Sequence, residues 1–494
     1  MLDVAIVGYG PVGALLARLL GRQGLAVRVL ERAAAPYPLP RAVHFDGEVM
    51  RIFQSAGVAD AMSAVTRASS HGMHFVNAEG RTLMIRRGND GPGPQGWYHS
   101  NYFHQPDLER VLREAAESCP SVQTSFGSEV TDIEEAGDHA RVTLASGGSL
   151  QARYVVGCDG ARSLVRRLIG AEYEDLGLRQ PWLVTDLVMH PGRAEALRLP
   201  NYTVQHCDPR RPMTACCVTG NRRRWEMMLL PGDDPVEIAK PGVAWKHLSR
   251  WVTPADAELE RTAVYTFQSV IADRWRRGRL LIAGDAAHQT PPFIGQGMCA
   301  GIRDCANLAW KLERVLRGRS GDGLLDTYET ERKPNVHAFI DLAVRVGEVI
   351  QADGDAAVAR DRRFAEGAPE VFDFPPSRLG AGAHDPVLPA GELFPQPRLA
   401  DGRLMDEAIG NRFAVLGSRH VIDQARPASE SAWRAMDTME ITGEPQVEHW
   451  LAERKLAAVI LRPDRHIAGV AADAASLIAL SQRLPSLCVS VAAH

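Results

Sequence analysis

Val4-Ala5-Ile6-Val7-Gly8-Tyr9-Gly10-Pro11-Val12-Gly13 is the stretch whose reading decides the fold. A short apolar run reads as a buried strand, and three glycines spaced G-x-G-x-x-G close it and open a helix. Gly8 permits the tight turn out of the strand, Gly10 lets backbone N–H groups approach a pyrophosphate, and Gly13 lets the helix pack close to the sheet. A helix starting near Pro11 turns its unpaired N–H groups and positive dipole end toward the phosphates, and Val12 belongs to the same turn. The next apolar run closes at Val29-Leu30 and is followed by Glu31 and Arg32. Glu31 stands about 20 residues beyond the first glycine, where a carboxylate accepts hydrogen bonds from an adenosine ribose. The fold class expected is α/β with a Rossmann-like nucleotide-binding domain.

Far along the chain, Arg279-Leu280-Leu281-Ile282-Ala283 reads as a second buried strand. Gly284-Asp285 falls at its carboxyl end, where open α/β sheets place their ligands. Taken alone, Asp285 would read as a cap or turn residue. The density of Pro and Gly that follows, through Pro291-Pro292-Phe293-Ile294-Gly295-Gln296-Gly297-Met298, reverses that reading and places Asp285 to hold ribityl hydroxyls. Ile302, Cys305, Leu308, Ala309, Leu312 and Leu316 recur at helical spacing, so a long amphipathic helix begins near Gln296 to Met298. Its free N–H groups suit the N1 and C2 carbonyl edge of a flavin, where negative charge gathers on reduction. Two glycine-dense turns this far apart describe one long cofactor, FAD rather than a nicotinamide bound alone. Pro292, Gly295, Gln296, Gly297 and Met298 are expected against its ring.

The flavin domain is expected to be discontinuous, over 1–71, 99–181 and 269–350. Residues 72–98 and 182–268 alternate apolar and polar residues in short runs such as Trp225-Glu226-Met227-Met228-Leu229-Leu230, which suits a strand-rich domain closing over the flavin. Residues 351–398 shift to Gly, Pro, Ala and charge and read as a linker. The remainder, 399–494, contains the apolar strand-and-turn stretch Leu456 to Asp464.

With a third motif, Cys158-Asp159-Gly160-Ala161-Arg162-Ser163, these features resemble in kind and order the single-component FAD-dependent aromatic hydroxylases, the class A flavoprotein monooxygenases. The likeness extends to Pro40-Arg41-Ala42, to Cys207-Asp208-Pro209-Arg210-Arg211-Pro212, and to Gly301-Ile302-Arg303-Asp304 with Asn307-Leu308-Ala309-Trp310-Lys311-Leu312. It covers most of residues 1–350, is weaker beyond, and is most similar to the branch acting on 3-(3-hydroxyphenyl)propionate. The resemblance implies that Asp159 serves flavin and nicotinamide binding, that Arg41 lies along the cofactor and guides a moving flavin, and that Gln105 lies near the FAD phosphates. Read without it, Asp159 caps a helix, Arg41 is a surface residue of a Pro-rich loop, and Gln105 starts a helix. It also implies that NADH or NADPH visits transiently, in keeping with the lack of a second nucleotide glycine motif. Residues 399–494 resemble a thioredoxin-like C-terminal domain; without a CxxC they are expected to pack or support an oligomer.

The implied reaction is monooxygenation. Reduced nicotinamide reduces FAD, dioxygen adds at flavin C4a, and the resulting hydroperoxide passes oxygen to an electron-rich phenolic ring. A base taking the hydroxyl proton would help. His44, in the segment where related phenol hydroxylases place a substrate-binding acid, is the candidate catalytic residue; the plain alternative is a histidine packed beside Phe45. Tyr102, His99, His206 and Tyr265 lie in segments able to line a pocket, and His288 is expected to be structural. Arg210 and Arg211 are available to a substrate carboxylate, yet beside Asp208 and Pro212 they read as a solvated turn. The competing readings are a hydroxylase of the same class acting on a polyketide, flavonoid or antibiotic, and a flavin-binding module or dehydrogenase without oxygen activation.

The 494 residues are enough for two or three domains. A net charge of −4 without a basic stripe argues against nucleic acid. No apolar stretch is long enough to cross a bilayer. The eight cysteines show no CxxC and no zinc spacing, so no metal is expected. The first strand begins directly after Met1, leaving no room for a leader, and a reduced cytoplasmic enzyme is expected. Its partners are a phenolic small molecule and dioxygen, with no nucleic acid, no membrane, and a homodimer as the assembly.

Overall fold

The structure, a computed structural model, describes residues 1–365 and 367–488. The opening strand Leu2–Val7 lies inside an eight-stranded sheet, parallel to Ser149–Gly157 on one side and to Val27–Leu30 on the other. Leu280–Ile282 pairs parallel with the far edge of Ser149–Gly157, and Val122–Ser125 extends the opposite side. Helix Pro11–Arg22 packs on this sheet against helices Gln105–Glu117 and Gly297–Leu316. Val4, Ala5 and Ile6 are therefore wholly buried, as a parallel strand covered on both faces requires. The register sets Val7 beside Gly157 and Gly157 beside Ile282. Three glycine motifs separated by long stretches of chain thus leave adjacent strand ends side by side.

A second sheet of nine strands stands over those ends. Its two long strands, Tyr173–Met189 and Ala257–Ala272, pair antiparallel, with register shifts at Asp175/Arg179 and Asp186/Leu187 that bend the sheet. Outward from Tyr173–Met189 come Arg222–Met228, Met213–Cys217, Thr203–Cys207, Met73–Asn77 and Thr82–Arg86. At the other edge His288–Gln289 pairs with Ala257–Ala272, so the second glycine loop runs directly into this sheet.

Two boundaries differ from the sequence expectation. The long strand begins at Tyr173, before 182, because one continuous strand leaves the first domain and runs the length of the second sheet. Residues 351–398 are more than a linker: helix Gly354–Arg363 and strand Glu370–Phe372 lie within them, and the strand extends the second sheet parallel to Thr82–Arg86. A three-residue edge strand gains its stability from the sheet it joins and leaves little local pattern to read.

The C-terminal unit has a four-stranded sheet in the order Thr438–Thr442, Phe413–Gly417, Ala458–Leu461, Ile467–Ala471. The first pair is parallel and the other two are antiparallel. Along the chain the order is strand, helix, strand, helix, strand, strand, helix. Alternate residues of Phe413–Gly417 face opposite ways: Phe413 and Val415 join the core of the flavin domain, whereas Ala414 and Leu416 pack with Val447 and Leu451 of helix Pro445–Glu453. A buried ionic knot ties the two units. The Glu331 carboxylate accepts from Lys311 Nζ at 2.7 Å, from Arg462 Nη1 and Nη2 at 2.8 Å each, and from the Ala383 amide at 2.6 Å.

Candidate functional site

The first glycine loop separates what the protein needs from what a ligand needs. Gly8 has φ of +101°, and a Cβ there would lie 2.4 Å from the Cys158 carbonyl oxygen; a Cβ on Gly13 would lie 2.1 Å from the Gly8 carbonyl oxygen. Both glycines are demanded by close backbone approach. Gly10 is different: its backbone is extended, it stands at the N-cap of helix Pro11–Arg22, and a Cβ would meet nothing within 4 Å. The protein leaves that space open in front of unpaired helix N–H groups, and a pyrophosphate fits it.

Two cavities run from this point. One, of about 420 Å³, is bordered by Gly8, Gly10, Glu31, Arg32 and Asp159. The other, of about 310 Å³, continues past Pro11 and Val12 to Asp285, Pro292, Gly295, Gly297 and Met298 and ends against the second sheet. Both are bordered by Gly10, Arg41, Cys158 and Gly160, so together they form one trough with an adenosine end and a ring end. Gly13 and Gly284 lie beneath the trough and shape it without bordering it.

At the adenosine end, Glu31 accepts from the Tyr9 amide at 2.9 Å and the Ala33 amide at 2.8 Å, which orients the carboxylate and leaves it further lone pairs for a ribose. Asp159 accepts from the amides of Leu164 and Val165 at 2.7 and 3.2 Å and so caps the helix Leu164–Leu168. Its other oxygen is buried with no hydrogen-bond partner among the described residues, and burial pushes the Asp159 pKa up. Gln105 accepts from the amides of Arg41 and Ala42 at 2.8 and 2.7 Å, so it pins the loop that carries Arg41 along the trough. The Arg41 side chain is exposed, 5.4 Å from the Tyr37 ring.

At the ring end, the Asp285 side chain opens onto the trough while its carbonyl accepts from the Tyr173 hydroxyl at 2.8 Å. Gly295 takes a left-handed conformation with φ of +67°, and Gly297 begins the long helix. Gln296 is turned inward: it accepts from Arg303 Nη1 at 2.9 Å and does not border the trough. His44 borders the ring cavity. Its Nε2 lies 3.2 Å from Ser100 Oγ, and Nδ1 faces Gly295 with no hydrogen-bond partner among the described residues. Burial, then the nearby Arg86 guanidinium, push the His44 pKa down to about 3. The imidazole is neutral at ordinary pH. Tyr102, His99, His206 and Tyr265 do not border this cavity; Tyr102 sits behind its wall, bonded to Thr203 Oγ1 at 2.9 Å. Arg210 pairs with Asp208 and Arg211 with Asp233, away from the trough.

Two residues that carry the second loop had no assigned role in the sequence. Asp304 accepts from the Gly284 amide at 3.1 Å, His288 Nε2 at 2.7 Å and Arg332 Nε at 3.0 Å. Burial works to raise its pKa, yet His288 and Arg332 hold the carboxyl below the usual range. Its neighbour Arg303 grips Asp46 at 2.6 Å and Glu48 at 2.7 Å. One helical turn thus anchors both Gly284 and the segment after His44. The sequence singled out this turn only within the Gly301-Ile302-Arg303-Asp304 likeness, with no role for either charge.

Asp285→Ala should weaken FAD retention about 10- to 100-fold, the worth of one hydrogen bond to a charged acceptor, since among the described residues no hydrogen bond reaches the Asp285 side chain. Equilibrium titration followed by flavin fluorescence measures this; unchanged affinity removes Asp285 from the site.

Residues 1–343 match the family model described as FAD binding domain. A probable NADH-specific resorcinol 4-hydroxylase of Rhodococcus jostii (strain RHA1) is 37% identical, over 98% of this chain and 94% of the relative. A 3-(3-hydroxy-phenyl)propionate/3-hydroxycinnamic acid hydroxylase of Mycobacterium sp. (strain JLS) is 35% identical, over 94% of this chain and 89% of the relative. Among solved structures, an aklavinone-11 hydroxylase in complex with FAD and aklavinone superimposes with a TM-score of 0.82 at 24% identity, covering 98% of this chain and 99% of that one, a likeness of fold.

Proposed function

We propose, from the premise that the chain belongs to the FAD binding domain family, that it is an FAD-dependent monooxygenase that hydroxylates a phenol at the expense of NADH or NADPH and dioxygen. The observation that carries this reading is the meeting of Gly8-Gly10, Cys158-Asp159 and Gly284-Asp285 at adjacent strand ends, with a cavity continuing from them to the second sheet. FAD, when bound, accepts a hydride from reduced nicotinamide and activates dioxygen for transfer to the ring. The helix N–H groups behind Gly10 would hold its pyrophosphate, Glu31 its ribose and Asp285 its ribityl chain. Gly295, Gly297 and the start of the long helix would meet its ring, with Asp304 and Arg303 fixing that loop. Phe267, Met73 and Pro292 give the ring cavity apolar walls that exclude water.

His44 would hydrogen-bond the substrate hydroxyl as a neutral imidazole, a role that its place on the cavity wall supports. Its lowered pKa means that it already accepts at any pH above about 5, so it adds no titration between pH 5 and 8. His44→Gln should lower ring hydroxylation by about 10-fold at unchanged FAD content, the worth of one hydrogen bond to the substrate hydroxyl, and leave the shape of the pH profile between 5 and 8 unaltered; a pKa of about 3 rules out the base expected from the sequence. Full activity in this variant removes His44 from the reaction.

A reducing cytoplasmic setting is supported by eight free cysteines, and among the described residues no helix is long and apolar enough to cross a membrane. The strand and helix order of the C-terminal unit supports a thioredoxin-like reading without a redox role, since its sole cysteine is Cys488. The reaction is tested by supplying labelled dioxygen with NADH or NADPH and a panel of phenols. One labelled oxygen in the product ring is expected. Oxidation of the nicotinamide to hydrogen peroxide alone, for every phenol, contradicts the reading.

A further inference from the structure

The second sheet turns toward the ring cavity a carboxylate that the hydroxylase reading does not employ. Glu226, on strand Arg222–Met228, is 6% exposed and borders the cavity. The nearby guanidinium, Arg224, is committed elsewhere. Its Nε and Nη2 grip Asp186 at 2.7 and 3.3 Å, Nη2 also donates to the Pro40 carbonyl at 2.9 Å, and Nη1 donates to the Arg41 carbonyl. Arg261 Nη2 also lies 2.6 Å from Asp186, and its Nη1 donates to the Tyr265 hydroxyl at 3.0 Å. Glu226 is left with one long approach, 3.7 Å to Arg224 Nη1, and among the described residues no hydrogen bond reaches its carboxylate. The neighbouring Gln205 and Thr214 are satisfied by other protein groups: Gln205 donates to the Phe293 carbonyl at 3.1 Å and accepts from the Thr214 hydroxyl. A buried carboxylate without a donor is costly, and a molecule filling the cavity with a hydroxyl toward it removes that cost.

We propose that Glu226 is the specificity-determining residue, accepting a hydrogen bond from a hydroxyl of an uncharged phenol, and that the preferred substrate is a dihydric phenol without a carboxylate side chain. The inference rests on the hydroxylase reading above. A substrate carboxylate would meet Glu226, and among the described residues no free cation borders that end: Arg224 is held by Asp186, Arg261 does not border the cavity, and Arg41 lies at the junction with the adenosine end. Burial pushes the Glu226 pKa up while Arg224 pulls it down, and a substrate carboxylate beside it would meet either like-charge repulsion or the cost of protonating one of the two groups in a desolvated site. A dihydric phenol offers donors to both Glu226 and His44, and no charge.

The test uses the FAD-loaded enzyme, resorcinol and 3-(3-hydroxyphenyl)propionate, with calorimetric binding beside steady-state KM and kcat. The wild type should bind resorcinol at least 10-fold more tightly. Glu226→Gln should weaken resorcinol binding about 10- to 100-fold at unchanged FAD content, with the loss mainly in KM, and should narrow or reverse the preference because the amide no longer repels a carboxylate. Glu226→Asp should recover part of the preference. A wild type that prefers the arylpropionate overturns the proposal, as does a Glu226→Gln enzyme that loses both phenols equally. If Glu226→Gln fails to load FAD, the wild-type preference and the Glu226→Asp ratio decide. Hydroxylation of neither phenol, or of any other, sinks the hydroxylase reading itself; hydroxylation of both with the carboxylate preferred sinks only this inference.

Discussion

Gly10→Val yields a folded protein that does not take up FAD. The extended backbone at Gly10 accepts an L residue, and the added methyls enter space that no protein atom occupies within 4 Å of a Cβ. The cost to the apo fold is about 1 kcal/mol for a poorer helix cap. The same methyls occupy the space a pyrophosphate needs, and with it go several charge-assisted hydrogen bonds, a loss of about 1000-fold or more in affinity. Circular dichroism and thermal melting without FAD should match the wild type within a few degrees, while the flavin absorbance is missing. Gly13→Ala is the contrasting variant: its Cβ would stand 2.1 Å from the Gly8 carbonyl oxygen, so it perturbs the fold itself. A full FAD complement in Gly10→Val would show that the open space beside the glycine is not where the phosphates lie.

Glu331→Ala should cost about 3–5 kcal/mol, because it leaves the buried Lys311 ammonium without its carboxylate and Arg462 with Asp464 alone. Burial alone would raise the Glu331 pKa, but Arg462 and Lys311 override it and hold the carboxyl far below the usual range. With the folded pKa below the unfolded value of about 4.3, the carboxylate contributes stability that is complete above that pH and is lost as the pH falls. The wild type should therefore lose stability below about pH 4, and Glu331→Ala should show a shallower acid dependence in the same window. Urea titrations at pH 3 to 7 measure both effects. An unchanged midpoint at neutral pH would mean that the knot between the flavin domain and the C-terminal unit contributes nothing.

The parts of the site legible in the sequence are those whose physics is local. Gly8, Gly10 and Gly13 carry their meaning in their spacing, and the expected helix start near Gln296 to Met298 is met by a helix from Gly297 to Leu316. Asp159 as a helix cap was legible for the same reason, since Ser163 and Leu164 follow closely. What escaped reading depends on partners distant along the chain. Arg303 meets Asp46 across 257 positions, and Arg51 meets Asp406 across 355. Gln296 belongs to a motif that faces the trough, yet Arg303 draws its side chain inward, which no spacing foretells. Glu226 looked like an ordinary polar residue of an alternating strand. Its significance comes from Asp186 occupying Arg224, a competition settled only once Tyr173–Met189 and Arg222–Met228 are paired in register.

The central claim is that one FAD lies along the trough from Glu31 to Met298, and titration of the purified chain with FAD tests it most directly. The account predicts saturation at one FAD per chain, a flavin absorbance spectrum that shifts on binding, and a rise in melting temperature that the Gly10→Val chain lacks. A correctly folded wild-type chain that stays colourless and whose melting temperature ignores FAD would contradict it.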